Sequence, residues 1–186
     1  MKEEIRKLVL DKRDRLSKTQ VSAASLVISK NLKKLGSFKD AKTIMFYVSF
    51  GNEVYTHDLI KEYLSVKSAA VPKIVEHEIE PSLVIDFDSL APSGKFGIPE
   101  PMELMKVSYK GIGAVLVPGV AFDKNGHRIG FGFGHYDKFL KKVPHAVKIG
   151  LAFDFQVVDL IPKEEHDVAM DFIVTEKRVV DCNKHN

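Results

Sequence analysis

Apolar residues in the first 40 positions recur at three- and four-residue intervals, which predicts two helices. The first helix covers 3–16. Ser17 and Gln20 form a capping box that would start the second helix, and Gly36 follows its last apolar residue as a C′ glycine would. The predicted buried stripes are Ile5, Leu8, Val9 and Leu16 in the first helix, and Val21, Ala24, Ile28, Leu32 and Leu35 in the second.

Beyond residue 40 the pattern changes to short, nearly continuous apolar runs, and helical spacing persists only over 56–65 and 135–142. Apolar strands that alternate with helices indicate a three-layer α/β fold, in which helices flank a mostly parallel sheet on both faces. The Pro- and Gly-rich segment 88–101 predicts a surface loop. The predicted strands are 41–50, 67–74, 83–87, 113–119, 146–153 and 171–175.

Length and composition limit the possible classes of protein. A chain of 186 residues with 45% hydrophobic and 28% charged residues fits a single globular domain over 1–186. A net charge of +3 suits phosphate-bearing ligands but falls short of a nucleic-acid binder. No apolar run approaches the roughly 20 residues of a membrane span, and the single Cys182 suits a reducing compartment. We expect a cytoplasmic monomer that binds small molecules, and neither nucleic acid nor membrane.

Ligands of a parallel sheet bind beyond the carboxyl ends of its strands. The segments after Phe50, Pro118, Phe153 and Thr175 are therefore the expected places for a site. The segment after Pro118 stands out, because it contains five of the chain's twelve glycines. Clustered glycines indicate positive φ angles or a close approach of the backbone to another group.

The last three of these glycines, Gly130, Gly132 and Gly134, precede a predicted helix. Free N–H groups and the helix dipole at such a position favour phosphate. Arg128 adds a positive charge, and the carboxylate of Asp137 beside a phosphate indicates an intervening Mg²⁺. The alternative is that the glycines serve turns and packing and that Asp137 caps the helix.

Other charged residues are candidates with equally open alternatives. Lys2, Arg6 and Arg13 fall within roughly a 40° arc of the first helix, where they could border a cleft or form a solvated face. Glu53 follows a strand and precedes a helix, so it could accept hydrogen bonds from a heterocycle or cap the helix. Asp171 heads an apolar strand, which favours a carboxylate that is solvated, hydrogen-bonded or near a cation.

Taken together, these segments resemble the 5-formyltetrahydrofolate cyclo-ligase family, also called methenyltetrahydrofolate synthetases. The resemblance extends over nearly the whole chain, and its most specific part is the glycine-rich segment. The matching segments are Lys2-x-x-Ile5-Arg6 with Arg13, YVSFGNEV (47–54), VPGVAFDKNGHRIGFGFGHYDKFL (117–140), IGLAFDFQ (149–156), Ile161-Pro162, and HD-x-x-x-D (166–171).

The resemblance implies a fold akin to ribose-phosphate isomerases and CoA transferases. It also implies that 5-formyltetrahydrofolate and Mg-ATP are converted into 5,10-methenyltetrahydrofolate, ADP and phosphate. Carried over by position, the residues implied to hold ATP are Lys2, Arg6, Arg128, Ile129, Gly130, Phe131, Gly132, Phe133, Gly134, His135 and Tyr136. Those implied to hold the folate are Val48, Glu53, Phe131, Gly132, Phe133, Gly134 and His135. Asp137 and Asp171 would hold Mg²⁺, and the residues implied to be catalytic are Arg128, Asp137 and Glu53.

The chain departs from the family pattern inside the glycine segment. His135 stands where the family commonly has a second tyrosine, and Phe131 and Phe133 lie between the glycines. Two other functions are possible: a phosphosugar isomerase of the same fold, which needs no ATP, and an RNA- or nucleotide-binding module that uses the first helix. Acidic residues interrupt the basic face of that helix, which disfavours RNA binding.

Overall fold

The computed structural model describes residues 1–94 and 96–184 and contains five helices and twelve strands in these ranges. The helices are α1 (Lys2–Asp14), α2 (Lys18–Leu32), α3 (Gly36–Asp40), α4 (His57–Leu64) and α5 (His135–Lys142). The strands are β1 (Thr43–Met45), β2 (Ser68–Val75), β3 (Glu78–Leu83), β4 (Ala91–Ser93), β5 (Ile98–Glu100), β6 (Ile112–Val117), β7 (Ala121–Asp123), β8 (Arg128–Ile129), β9 (Val147–Leu151), β10 (Val157–Val158), β11 (Phe172–Val174) and β12 (Val179–Asp181).

Seven strands form the main sheet, in the order β12-β11-β9-β6-β1-β2-β3. The five inner strands are parallel, and an antiparallel strand lies at each edge. From β1 the chain moves outward to β2, and from β6 it moves outward in the opposite direction to β9 and β11. The neighbours β1 and β6 therefore mark the topological switch point, where such sheets open a crevice at their carboxyl ends.

Two apolar cores cover the two faces of the sheet, which confirms the mostly parallel sheet flanked by helices. Alternate strand residues such as Ile44 and Leu116 pack with α2, α3 and α4 on one face. Their chain neighbours Met45 and Val117 pack with α5 on the other. This alternation follows from the two-residue period of a strand. Within the described residues, none of the helices is both long and apolar enough to cross a membrane.

Helix α1 lies apart from these cores, against a small sheet of β10, β7 and β8. Val9 packs there with Val120, Ile129 and Ile161. The predicted stripe of α1 is wrong at Leu8, which is 57% exposed. Arg13, one turn beyond Val9, lies on the buried face of α1 instead, and its side chain is only 4% exposed.

The capping box of Ser17 and Gln20 is confirmed, because each side chain bonds the other residue's backbone N–H. Gly36 as a C′ glycine is wrong: α2 ends before it, and Gly36 begins α3. The helices predicted over 56–65 and 135–142 correspond to α4 and α5.

The strand predictions are wrong in two kinds of segment: apolar segments that are buried without joining a sheet, and polar segments that form an edge strand. The apolar run 41–50 is buried over most of its length, but β1 ends at Met45. The strand predicted over 83–87 is wrong, since β3 ends at Leu83 and a 3₁₀ turn follows at 87–89. The predicted loop 88–101 contains the antiparallel pair β4 and β5.

Candidate active site

A narrow, nearly closed crevice lies at the switch point, beyond the carboxyl ends of β1 and β6. The segment after β1 contributes Tyr47, Glu53 and Val54, and the segment after β6 contributes Pro118 and Gly119. Together with Gln156, which follows Phe153, they represent three of the four segments in which the sequence places a site. The remaining lining residues are Arg13 from α1, Leu151 from β9, and Gln156.

The loop that carries Glu53 is held rigidly by hydrogen bonds to its own ends. Ser49 and Thr56 bond each other's backbone N–H groups at 3.0 and 3.1 Å, and Tyr47 Oη donates to Val54 O at 2.9 Å. Asn52 Nδ2 donates to the carbonyls of Arg13 and Leu16 at the end of α1, both at 3.0 Å. The loop and the end of α1 are therefore fixed relative to each other.

Glu53 is 6% exposed and caps no helix. Its Oε2 accepts a hydrogen bond from Phe50 N–H at 3.1 Å. Burial raises the pKa of the Glu53 carboxyl to about 7, although the Phe50 N–H and the nearby Arg13 charge act to lower it. Glu53 can therefore change charge near neutral pH.

Four buried polar atoms around this crevice have no hydrogen-bond partner among the described residues: Nε and Nη1 of Arg13, Nε of Arg128, and Oη of Tyr136. Buried polar atoms are nearly always paired, so a cluster of unpaired ones requires an explanation. Tyr136 lies close enough to Glu53 for the carboxylate to act on it, and burial is the main cause that raises the pKa of its phenol. Donors facing a crevice without partners are what a polar ligand would satisfy.

The glycine segment lies beside this crevice and serves two different purposes. Gly119 and Gly126 are required by packing, because a Cβ at these positions would come within 2.5 Å of Phe122 and 2.4 Å of Met170 O respectively. Gly132 and Gly134 are required by φ angles of +102° and +66°, and no described atom lies within 4 Å of a Cβ built there. The second pair therefore borders open space at the N-terminus of α5.

Arg128 and Asp137 pair across this loop. Nη2 of Arg128 lies 2.9 Å from Oδ2 of Asp137, and both side chains are largely buried. The other carboxylate oxygen of Asp137 accepts the Val168 N–H at 3.2 Å. Asp137 therefore stands in the first turn of α5 as a hard oxygen donor of the kind that Mg²⁺ prefers, next to the N–H groups of the glycine loop.

Helix α1 directs three of its five basic residues, Lys2, Arg6 and Arg13, toward this region. Arg6 Nε donates to Gly130 O at 3.0 Å, which ties α1 to the glycine loop. Lys2 Nζ lies 2.8 Å from Glu164 and 2.9 Å from Asp167. Burial lowers the pKa of Lys2, but the two carboxylates outweigh it, so that the pKa is raised. The solvated-face alternative is wrong for these residues.

Asp171 lies away from Asp137, at the amino end of β11. Its Oδ2 accepts the Lys148 N–H at 2.8 Å, at the start of β9, and lies 3.7 Å from Lys148 Nζ. The glycine loop is at the opposite, carboxyl end of these strands. The structure therefore does not bring Asp171 into one metal site with Asp137, and its hydrogen-bonded alternative is the one observed.

The remaining predicted residues differ in their exposure to the site. Val48 is 4% exposed and packs in the core, so that only its backbone could meet a ligand. The ring centre of Phe131 lies 5.5 Å from the guanidinium of Arg13, which lines the crevice. His135 Nδ1 bonds to His77 O at 2.9 Å, and its ring stacks on Phe133. Ile129 is buried in the core under α1.

Sequence reasoning placed the buried Arg13 at the border of a cleft but missed the role of Gln156, a second buried polar side chain. Gln156 bonds the Gly119 and Val120 carbonyls at 3.1 and 2.8 Å, and so fixes the start of the glycine segment. Arg13 lines the crevice directly. The signal for Arg13 was present, since a cation four residues after Val9 lies on the apolar stripe. No local signal distinguishes Gln156.

Known proteins are similar to this chain over nearly its full length. The model of the 5-formyltetrahydrofolate cyclo-ligase family matches residues 1–176. A probable 5-formyltetrahydrofolate cyclo-ligase of Caenorhabditis elegans is 30% identical over 97% of this chain and 95% of its own. The NMR structure of Aquifex aeolicus 5,10-methenyltetrahydrofolate synthetase is 39% identical with a TM-score of 0.87, covering 97% of this chain and 92% of that one.

A second solved structure, a 5,10-methenyltetrahydrofolate synthetase from Mycoplasma pneumoniae, is 29% identical with a TM-score of 0.75 and covers 94% of this chain and 98% of that one. The matches agree with one another in family and in fold. The chain belongs to the 5-formyltetrahydrofolate cyclo-ligase family, and the protein is an enzyme.

Proposed function

We propose that the protein converts 5-formyltetrahydrofolate and ATP into 5,10-methenyltetrahydrofolate, ADP and phosphate, with Mg²⁺ as cofactor. The observation that carries this proposal is the group of unpaired buried polar atoms between Glu53 and the glycine loop. A polar heterocycle on one side and a polyphosphate on the other would satisfy them. Family membership supplies the identity of the two substrates.

The reaction needs activation of a poor leaving group and no side-chain nucleophile. The formyl oxygen attacks the γ-phosphorus of ATP, the bond from that phosphorus to the bridging oxygen breaks, and ADP leaves. N10 then attacks the formyl carbon, whose bond to the phosphorylated oxygen breaks, and phosphate leaves as N10 loses its proton. Phosphoryl transfer of this kind depends chiefly on positioning and neutralisation of charge.

The N-terminus of α5 suits the phosphates of ATP. Gly132 and Gly134 leave backbone N–H groups facing open space at the positive end of the helix dipole. Arg128 and Arg6 add positive charge next to this loop, and Lys2 does so on releasing Glu164 and Asp167. The exposed phenyl rings of Phe131 and Phe133 do not alter this backbone site, because it uses N–H groups.

Asp137 is the residue that we expect to hold Mg²⁺, through Oδ2, which faces Arg128. The residues fit the ion, since one carboxylate beside phosphate oxygens is a usual Mg²⁺ environment. When bound, the ion would neutralise charge on the transferred phosphoryl group. Arg128 would then turn from Asp137 toward the phosphates, which gives its unpaired Nε a partner.

Glu53 is the group that we expect to orient the folate. Its carboxylate can accept hydrogen bonds from the N–H edge of the pterin ring, and its position beside the glycine loop would bring the formyl group near the γ-phosphate. Because the pKa of Glu53 is about 7, the deprotonated carboxylate that accepts these hydrogen bonds becomes populated as pH rises through neutrality. Val48 would contribute through its backbone alone.

A spectroscopic assay tests the proposal. Protein, 5-formyltetrahydrofolate, Mg²⁺ and ATP should produce the near-ultraviolet absorbance of the methenyl product, with one ADP for each product molecule. Asp137→Ala should lose most of this activity while it stays folded; Asp159→Ala, at an exposed carboxylate, is the control. Absence of the chromophore, or an equal rate without ATP, would contradict the proposal.

We further propose that residues 1–186 act as a single domain and as a monomer in the cytoplasm, with a fold akin to ribose-phosphate isomerases and CoA transferases. Light scattering on the purified chain tests the oligomeric state: a mass near 20.9 kDa is expected, and twice that mass would contradict it.

A further inference from the structure

The buried guanidinium of Arg13 has no role in the chemistry described above. Arg13 is 4% exposed, and its Nε and Nη1 donate to no atom of residues 1–94 or 96–184. A buried cation without hydrogen bonds is strongly destabilising. The presence of this guanidinium on the otherwise apolar face of α1 indicates that a ligand supplies its missing hydrogen-bond acceptors.

Neighbouring residues hold the guanidinium of Arg13 and the carboxylate of Glu53 in fixed positions. Its guanidinium lies over the Phe131 ring at 5.5 Å from the centre, a position that favours a cation. Asn52 bonds its carbonyl at 3.0 Å and precedes Glu53 in the loop, so the two charged residues are held next to each other. Both line the same crevice, and Arg13 acts electrostatically on the Glu53 carboxyl.

The two charges together select the chemistry of the ligand. Glu53 accepts a hydrogen bond from Phe50 N–H at one oxygen and has further acceptor capacity, while Arg13 has unused donors. A phosphate in this crevice would face the Glu53 carboxylate. A neutral cyclic amide instead presents N–H donors beside a carbonyl acceptor, and so matches Glu53 and Arg13 at once.

We propose that Arg13 donates hydrogen bonds to the ring carbonyl of a cyclic amide whose N–H edge is bound by Glu53. Resting on the proposed function, this identifies the amide with the pyrimidinone ring of the folate. Arg13 is then the residue that distinguishes a 4-oxo-pteridine from a 4-amino-pteridine. The 4-amino ring has a donor where Arg13 needs an acceptor and has lost the neighbouring N–H.

Equilibrium binding of folic acid and of its 4-amino analogue, without ATP, tests this proposal. The wild-type protein should bind folic acid at least about tenfold more tightly. Arg13→Met, which keeps the length of the side chain, should bind the two within about threefold of each other. Lys12→Met, at the exposed neighbouring position, should keep the wild-type preference. Arg13→Lys should show a preference for folic acid between those of wild type and Arg13→Met. If Arg13→Met does not fold, this reduced preference of Arg13→Lys is the test.

The KM values separate this role from others. In the cyclisation assay, Arg13→Met should raise the KM for 5-formyltetrahydrofolate at least about tenfold and leave the KM for ATP unchanged. A raised KM for ATP alone, or a wild-type protein without preference between the two pteridines, would overturn the proposal. A protein that distinguishes them but produces no methenyl product would support the role of Arg13 and contradict the proposed reaction.

Discussion

Asp123, the last residue of β7, and Glu53, in the loop after β1, are both buried carboxylates, yet their surroundings differ. Asp123 is fully buried, and its two oxygens accept from the N–H groups of Asn125, His127 and Ile161 and bond the His127 ring. Glu53 accepts one backbone N–H and lies near unpaired donors of Arg13 and Tyr136. A carboxylate whose oxygens are fully hydrogen-bonded within the protein, such as Asp123, stabilises the fold. A carboxylate with free acceptor capacity, such as Glu53, can bind a ligand.

The comparison also separates the two ends of the glycine segment. Around Asp123, Gly126 has to be glycine because Met170 O leaves no space for a Cβ. At the other end, Gly132 and Gly134 face open space and are glycine because of their positive φ angles. One stretch of sequence thus contains a structural turn followed by a candidate binding loop.

The largest effect is expected at Asp123. Asp123→Ala removes the acceptor of four hydrogen bonds, one from the buried Ile161 N–H and three from partly buried donors of Asn125 and His127, which should lower the free energy of unfolding by about 3–5 kcal/mol. Urea unfolding measures this value. Asp159→Ala, at an exposed carboxylate, should stay within about 0.5 kcal/mol of wild type. An equally small change at Asp123 would remove the distinction between the two carboxylates.

The pH dependence of stability should be next in size. The folded-state pKa of Glu53, about 7, is above its ordinary value of 4.5. Folding therefore favours the protonated form, and its stabilising contribution is present below pH 4.5 and is lost as pH rises through 7. The loss should be on the order of 3 kcal/mol.

Comparing Glu53→Gln with wild type isolates this effect. The variant cannot ionise, so its free energy of unfolding relative to wild type should be higher at pH 8 than at pH 5. Unfolding in urea at the two pH values gives the difference. An unchanged difference between the two pH values would show that the Glu53 carboxyl titrates normally.

Glu53→Gln should also weaken catalysis without loss of the fold. Loss of a charged acceptor for the pterin N–H edge should lower kcat/KM for 5-formyltetrahydrofolate roughly 10- to 100-fold. Steady-state kinetics over pH 6–8 measure this loss, and the rise of wild-type kcat/KM through pH 7 should disappear in the variant. A wild-type kcat/KM in the variant would return Glu53 to a purely structural role.

The smallest effect is expected at Gly134, the N-cap of α5. Gly134→Ala places a Cβ at a φ of +66° without any clash, so it should cost about 1 kcal/mol of stability through backbone strain. It should also raise the KM for ATP. Gly36→Ala, at a helical glycine with open surroundings, is the matched control and should not destabilise. Equal unfolding midpoints for the two variants would contradict the assignment of strain to Gly134.

Much of the fold could be predicted because its inner strands and helices have strong periodic patterns. Helix α5 matches its predicted bounds, and the capping box of Ser17 is present. Edge strand β3 was missed because its sequence, EIEPSL, is polar and contains a proline. The turn before it uses Glu76 and His77 at positive φ, without the glycine or asparagine that would have marked it.

The candidate site could be predicted only as a set of segments. Strand order brings Glu53 and Gly119 together, because β1 and β6 are neighbours although almost 70 residues separate them. That order depends on packing across the whole chain and has no local signature. The same holds for Asp171, where the pairing of β11 with β9 directs the carboxylate to Lys148 and away from Asp137.

A crystal structure with 5-formyltetrahydrofolate and a non-hydrolysable ATP analogue would test the account most directly. We expect the pterin ring in the switch-point crevice, with Glu53 on its N–H edge, Arg13 on its carbonyl oxygen, and the phosphates at Gly132 and Gly134. A pterin bound elsewhere, with Arg13 and Glu53 still unpaired, would contradict it.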